Sequence, residues 1–225
     1  MESQVLKETH FDWLGEKQRG KVRDVYDGGD KLIIISTDRH SSFDRNIAHI
    51  PHKGQILNQI SAFWFNATMD IVQNHVIEMP DPNVLVAKKC KVIPIEMVVR
   101  GYLTGVTNTS LWTHYVGGTR DFRDFVLPDG MQKNQKLTSP VLTPTTKSDK
   151  RDRPITEAEI ISRGIVSPEM WKKMCTAALA LFERGQIIAK SRGLILVDTK
   201  YEFGTDEKGA LTLIDEIHTP DSSRY

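Results

Sequence analysis

The chain has 225 residues, with 30 Lys plus Arg against 29 Asp plus Glu and a formal net charge of +1, so no bulk charge draws it to nucleic acid or to an anionic membrane. Its length suffices to bury one large core or two closely packed small ones. No apolar leader core opens the chain and no later run nears the roughly 18 apolar residues of a membrane span, so a cytoplasmic protein is expected, with Cys90 and Cys175 reduced.

Residues 19–38, "RGKVRDVYDGGDKLIIISTD", read as a β-hairpin, with an alternating strand, a turn of residues that tolerate positive φ and a buried strand. The stretch "ILNQISAFWFNATMDIVQN" reads as a helix with Ile56, Ile60, Phe63, Trp64, Ala67 and Ile71 on one core-facing stripe. "NVLVAKKCKVIPIEMVVRGYLTG" supplies two apolar runs joined by a Pro-containing segment, hence two strands. Residues 117–154 mix Gly, Pro, Ser, Thr and charge without periodicity and read as a long loop or linker. A helix follows in "SPEMWKKMCTAALALFERGQIIAKSRG", capped by Ser167, opened by Pro168 and closed by Gly193. "LILVDTKYEFG", "TDEKG" and "ALTLIDEI" make a second hairpin. This order of elements predicts an α+β fold with largely antiparallel sheets in two lobes around a cleft, divided as residues 1–90 and 91–225.

The chemistry-bearing residues sit at strand ends and on hairpins. In "DTKYEFG" alternation puts Asp198, Lys200 and Glu202 on one face and Thr199, Tyr201 and Phe203 on the other. Across the hairpin Asp215 or Glu216 can meet Glu202, depending on register, and two such carboxylates would suit Mg²⁺ carrying nucleotide phosphates; the alternative is a solvated face of surface ion pairs. "GKVRDVY" lacks a Walker A pattern, yet a hairpin bearing Gly20, Lys21 and Arg23 can lie over phosphates. "TDRHSSFD" crowds Asp38, Arg39, His40, Ser41, Ser42 and Asp44 into one loop after a buried strand. Arg100 directly follows an apolar strand, and "TPDSSR" adds Ser222, Ser223 and Arg224 in a turn. Together these basic and acidic groups favour an anion-handling cleft.

Seven motifs in order, "GKVRDVY", "TDRHSSFD", "HKGQILNQISAFWF", "EMVVRGYLTG", "LTPTTKSD", "DTKYEFG" and "DEIHTPDSSRY", resemble the SAICAR synthetase (phosphoribosylaminoimidazole-succinocarboxamide synthase) family. The resemblance spans Gly20 to Tyr225 and implies a two-lobed fold with ATP between the lobes, and a ligase of purine biosynthesis. Such an enzyme joins carboxyaminoimidazole ribonucleotide and L-aspartate at the expense of ATP. Carried over by motif, Gly20, Lys21 and Arg23 would cover the ATP phosphates, Glu96 and Met97 would present main chain to adenine, and Lys200 would contact phosphate. Glu202 and Asp215 would hold Mg²⁺, and Asp198 would orient the ribonucleotide. Asp38, Arg39, Ser41, Asp44, Arg100, Ser222 and Arg224 would form the substrate side. The resemblance also suggests a homodimer. Val106 stands where the family commonly has Ser, so a hydroxyl contact to the ribonucleotide would fall to Thr107 or Ser110, or be absent. The competing readings are a small-molecule kinase, which can share an Asp-x-Lys strand, and a nucleotide-binding protein without catalysis.

Overall fold

The structure, a computed structural model, describes residues 5–42, 45–147 and 153–225. In chain order its strands and α-helices are β1 (Glu16–Arg19), β2 (Arg23–Asp27), β3 (Lys31–Ser36), β4 (Arg39–Ser42), β5 (Arg45–His49), α1 (Lys53–Ala67), β6 (Val76–Asp81), β7 (Val84–Lys88), β8 (Lys91–Leu103), α2 (Leu111–Val116), β9 (Gln135–Leu142), β10 (Thr145–Thr146), β11 (Arg153–Pro154), α3 (Glu157–Ser162), α4 (Pro168–Ser191), β12 (Asp198–Thr205), β13 (Leu211–Ile214) and β14 (Ser223–Arg224). They group into two compact units, Met1–Lys91 with Thr205–Asp221, and Val92–Gly204 with Ser222–Tyr225. Residues 205–221, which the sequence reading assigns to the second lobe, thus group with the first unit. The pairings β1/β2, β2/β3, β3/β7, β6/β7, β4/β5, β8/β9, β8/β10, β10/β11 and β12/β14 are all antiparallel, giving the expected α+β class.

The first unit is built on the sheet β1-β2-β3-β7-β6. Its hairpin β2/β3 pairs Arg23 with Ser36 and Asp27 with Leu32, and turns through Gly28 and Gly29, the latter at φ +90°. Tyr26, Ile33 and Ile35 form a buried cluster with Leu6, Leu14 and Val84 against it. Helix α1 packs on β3, β4, β6 and β7, but through Leu57, Ser61, Trp64 and Phe65. The stripe expected from sequence is therefore corrected: Ile56 and Phe63 are 51% and 56% exposed, and only Trp64 of that set is buried. The helix is rotated by about one residue because Gly54 must lie against β3, where a Cβ would come within 2.3 Å of the Ser36 carbonyl oxygen. The returning segment is fastened to this unit by a parallel bridge between Asn74 and Leu213, by Ile217 N–H donating to Ser61 Oγ at 3.2 Å, and by the His218 ring standing edge-on to Trp64 at 4.6 Å.

In the second unit β8 is the long central strand, bordered by β9 and β10, and β14 lies along β12. Pro94 falls inside β8 instead of between two strands. Helix α4 buries Trp171, Met174, Ala177, Ala178, Leu181, Phe182, Gly185 and Ala189, a helical stripe. Ser167 accepts from Met170 N–H at 3.2 Å, Pro168 is the first helical residue, and Gly193 follows at φ +74°, all as the sequence predicts. Over the described residues 117–147 the chain is not the expected structureless loop: β9 pairs Val99 with Leu142, and Leu103, Leu111, Tyr115, Leu127 and Leu137 form a core against which Trp112, Phe122 and Phe125 pack. Pro140 and the interspersed Lys and Thr hide that strand from a period-two reading. Both cysteines are free thiols, and burial pushes Cys175 up to about 12. Among the described residues no helix is long and apolar enough to cross a membrane.

Candidate functional site

Strand β12 carries the polar centre of the second unit. Tyr201 and Phe203 are wholly buried on one face, as alternation requires, but Asp198 and Glu202 on the other face are themselves only 5% exposed. A solvated face of surface ion pairs is thereby ruled out. Burying carboxylates demands partners, and each has them.

Glu202 accepts from Lys200 Nζ on Oε1 at 2.8 Å and from Lys147 on Oε2. Lys200 also donates to Glu96 Oε1 at 2.7 Å, and Thr145 Oγ1 donates to Glu96 Oε2 at 2.9 Å. Two lysines and two glutamates therefore form one network with zero net charge. Lys200 can bridge because residues two apart on a strand share a face, and Glu96 arrives from β8 opposite Thr145. The structure gives Glu96 a carboxylate contact where the sequence reading has only main chain; the Met97 side chain is buried.

Asp198 sits between two guanidinium groups. Arg224, its cross-strand neighbour in β12/β14, donates Nε to Oδ1 at 2.7 Å and Nη2 to Oδ2. Arg100 Nη1 stands 3.8 Å from Oδ2, while its Nε donates to Thr143 Oγ1 at 2.8 Å. One carboxylate against two arginines leaves a net charge of +1, a ready seat for an anion. Burial lowers the Arg100 pKa from its ordinary value, an effect that the Asp198 carboxylate opposes and Arg224 reinforces. Ser222 lies beside this group, its carbonyl accepting from Lys200 N–H at 3.0 Å.

The first unit holds a second group. Gly20 and Lys21 form the exposed turn between β1 and β2, closed by Gly20 N–H donating to the Arg23 carbonyl at 2.8 Å. Arg23 donates Nη1 to Asp215 and lies with Nη2 2.6 Å from Glu216 Oε1. Asp215 adopts φ +67°, a left-handed conformation uncommon for a residue with a side chain.

Arg39 and Asp38 are placed differently from expectation. Arg39 is 1% exposed and its guanidinium donates to the carbonyls of Lys7 (2.7 Å), Gly20 (3.0 Å) and Lys21 (3.2 Å) and to Asp24 Oδ1 (2.8 Å). Asp24 accepts in addition from Thr9 N–H and Oγ1 at 2.8 and 2.9 Å. Burial raises the Asp24 pKa, but these bonds from Arg39 and Thr9 outweigh it and hold the carboxyl below its usual range. Asp38 is 3% exposed and accepts from Leu6 N–H and Gly54 N–H, both at 2.9 Å. Both side chains face inward, where they fasten the turn, the amino-terminal segment and the start of α1, so neither is exposed to a substrate. Ser41 lies on β4 opposite Asn46, and Asp44 lies outside the described residues.

Sequence reasoning missed Lys147, the Glu96 carboxylate and Thr143, while Glu216, considered with Asp215 opposite Glu202, is instead held by Arg23. Lys147 and Thr143 lie in "LTPTTKSD", so the motif was the available signal. Among the described residues no group of three or more His, Cys, Asp or Glu gathers as a metal site. Glu202 belongs to the second unit and Asp215 to the first.

The arrangement is that of a known fold. A SAICAR synthase of Saccharomyces cerevisiae, solved in complex with SAICAR, superposes with a TM-score of 0.83 at 32% identity, over 97% of this chain and 78% of that one. Phosphoribosylaminoimidazole-succinocarboxamide synthase of Legionella pneumophila (strain Paris) is 57% identical over 220 residues, 98% of this chain and 70% of the relative. The chloroplastic enzyme of the same name from Vigna aconitifolia is 56% identical over 227 residues, 99% of this chain and 67% of the relative. The SAICAR synthetase family model matches residues 16–225, and the chain belongs to that family.

Proposed function

We propose that the protein is an ATP-dependent carbon–nitrogen ligase, joining carboxyaminoimidazole ribonucleotide to L-aspartate to give SAICAR, ADP and phosphate. Family membership supports the reaction, and one observation in this chain carries the site: a nearly buried polar face on β12 that ends in a carboxylate between two guanidiniums.

A carboxylate is a poor electrophile. Transfer of the ATP γ-phosphoryl group to the carboxylate of the ribonucleotide releases ADP and gives an acyl phosphate. The aspartate amine then attacks its carbonyl carbon, phosphate leaves with the bonding pair, and the nitrogen loses a proton. In this reading Arg100 and Arg224 hold the carboxylate or phosphate of the ribonucleotide, while Asp198 fixes their geometry and Ser222 lines the same group. Lys200 offers its ammonium to a transferring phosphoryl group, where a positive charge is worth most in a site shielded from water. The Gly20–Lys21 turn with Arg23 covers ATP phosphates, the main chain near Met97 meets adenine, and Ser41 belongs to the substrate side.

Glu202 and Asp215 are the carboxylates offered to Mg²⁺, which when bound neutralises phosphate charge; hard oxygen donors in ones and twos, completed by phosphates, suit that ion. A homodimer and a cytoplasmic location belong to the same reading and are tested by sedimentation and by fractionation. The reaction itself is tested with ¹⁵N-aspartate: the ribonucleotide product must carry the label and the whole aspartate skeleton. A phosphorylated ribonucleotide without aspartate would replace the ligase by a kinase.

A further inference from the structure

Both oxygens of Glu202 already accept from an ammonium: Lys200 donates to Oε1 and Lys147 to Oε2, so a cation that ligates this carboxylate must come in against, or in place of, a positive charge. The two lysines are not equivalent. Lys200 is shared with Glu96, which Thr145 also holds, so moving Lys200 breaks hydrogen bonds to both glutamates. Lys147 stands at the rim, 45% exposed in its side chain, with Glu202 as its carboxylate contact among the described residues. It is the partner that can leave.

With both lysines in place the Glu96–Lys200–Glu202–Lys147 network is neutral, so it offers a bare dication no net attraction. A polyphosphate reverses that balance, since its oxygens accept from lysine while its own charge escorts the metal. The first unit repeats the pattern independently: Arg23 reaches Asp215 and Glu216 together. Each carboxylate offered to Mg²⁺ is thus held by a cation of its own unit.

We propose that Lys147 is the counter-ion that closes Glu202 to a free divalent cation, so that metal enters only with the polyphosphate that draws Lys147 away. The proposal rests on Glu202 being a metal ligand. It makes Lys147 a positioning residue with a role in metal entry as well as charge balance.

The test counts bound Mn²⁺ by the electron paramagnetic resonance signal of the free ion, on the full chain, with and without a non-hydrolysable ATP analogue. Without analogue, wild type and Lys147→Arg should bind Mn²⁺ weakly, and Lys147→Met about tenfold or more tightly, the size of one charge-assisted hydrogen bond. With analogue, wild type should gain a bound ion that Glu202→Gln loses. Equal Mn²⁺ affinity of wild type and Lys147→Met without analogue overturns the proposal, even where Glu202→Gln behaves as expected. Unchanged uptake by Glu202→Gln overturns both the proposal and the metal reading beneath it. Ligase turnover by wild type is scored separately, so a failed function and a failed counter-ion remain distinct.

Discussion

Replacing Arg39 with Met keeps its volume and removes its charge. In the native protein that guanidinium satisfies three main-chain carbonyls and faces Asp24, which is 0% exposed. The variant leaves a buried carboxylate without its partner, a change that costs about 3–5 kcal/mol. For a chain of this size that is a fall of roughly 6–20 °C in the melting temperature. Urea unfolding followed by tryptophan fluorescence measures it. Asp24 is held below its usual pKa, so its contribution is present at neutral pH and is lost as the pH falls through the lowered value. The deficit of Arg39→Met must therefore narrow in acid. Asp24→Asn in the same chain removes the stranded charge and should return at least about 1 kcal/mol, a non-additivity that a double-mutant cycle reads directly. A loss below about 1 kcal/mol in Arg39→Met, or strict additivity with Asp24→Asn, would refute the clasp.

Lys200→Ala should abolish turnover and lower stability by roughly 1–3 kcal/mol, because Glu96 and Glu202 lose the ammonium they share; steady-state kinetics and urea midpoints check the two parts. Asp198→Asn should reduce kcat about 100-fold or more, with the ribonucleotide KM changed as well, since Arg100 and Arg224 lose the carboxylate that sets their spacing; unchanged kinetics would remove Asp198 from the site. Gly54→Ala should cost about 1–3 kcal/mol, as its Cβ would meet the Ser36 carbonyl at 2.3 Å; a neutral melting temperature would contradict the packing. Burial lowers His75 to about 4 and His218 to about 3, against 6.5 when unfolded. Their contribution is full above the unfolded value and is lost as the pH falls towards the folded ones, so urea midpoints should decline below pH 6.5, and less steeply in His75→Gln.

The sequence was most legible where local rules and burial agree. Ser167, Pro168 and Gly193 mark helix α4 because capping chemistry is local, and β12 keeps Tyr201 and Phe203 inside because strand alternation is strict. It was least legible where tertiary packing chooses between adjacent faces. In α1 a one-residue rotation turns Ile56 and Phe63 outward, and the decisive contact is Gly54 against β3, which no hydrophobic period records. Arg39 and Asp38 show the same limit for polar residues. A charged loop after a buried strand reads as a ligand loop, whereas here its side chains turn inward to satisfy the main chain of Lys7, Gly20, Lys21, Leu6 and Gly54. Asp198, Lys200 and Glu202 were found because three charges on a strand demand an explanation; Lys147 was not, because its partner lies 55 residues away.

In the proposed reaction phosphoryl transfer is coupled to amide formation. Release of ADP is therefore to be followed with Mg²⁺, ATP, carboxyaminoimidazole ribonucleotide and L-aspartate, leaving out one component at a time. Sustained release is expected only when ATP, the ribonucleotide and aspartate are all present. Sustained release that is indifferent to aspartate would contradict it.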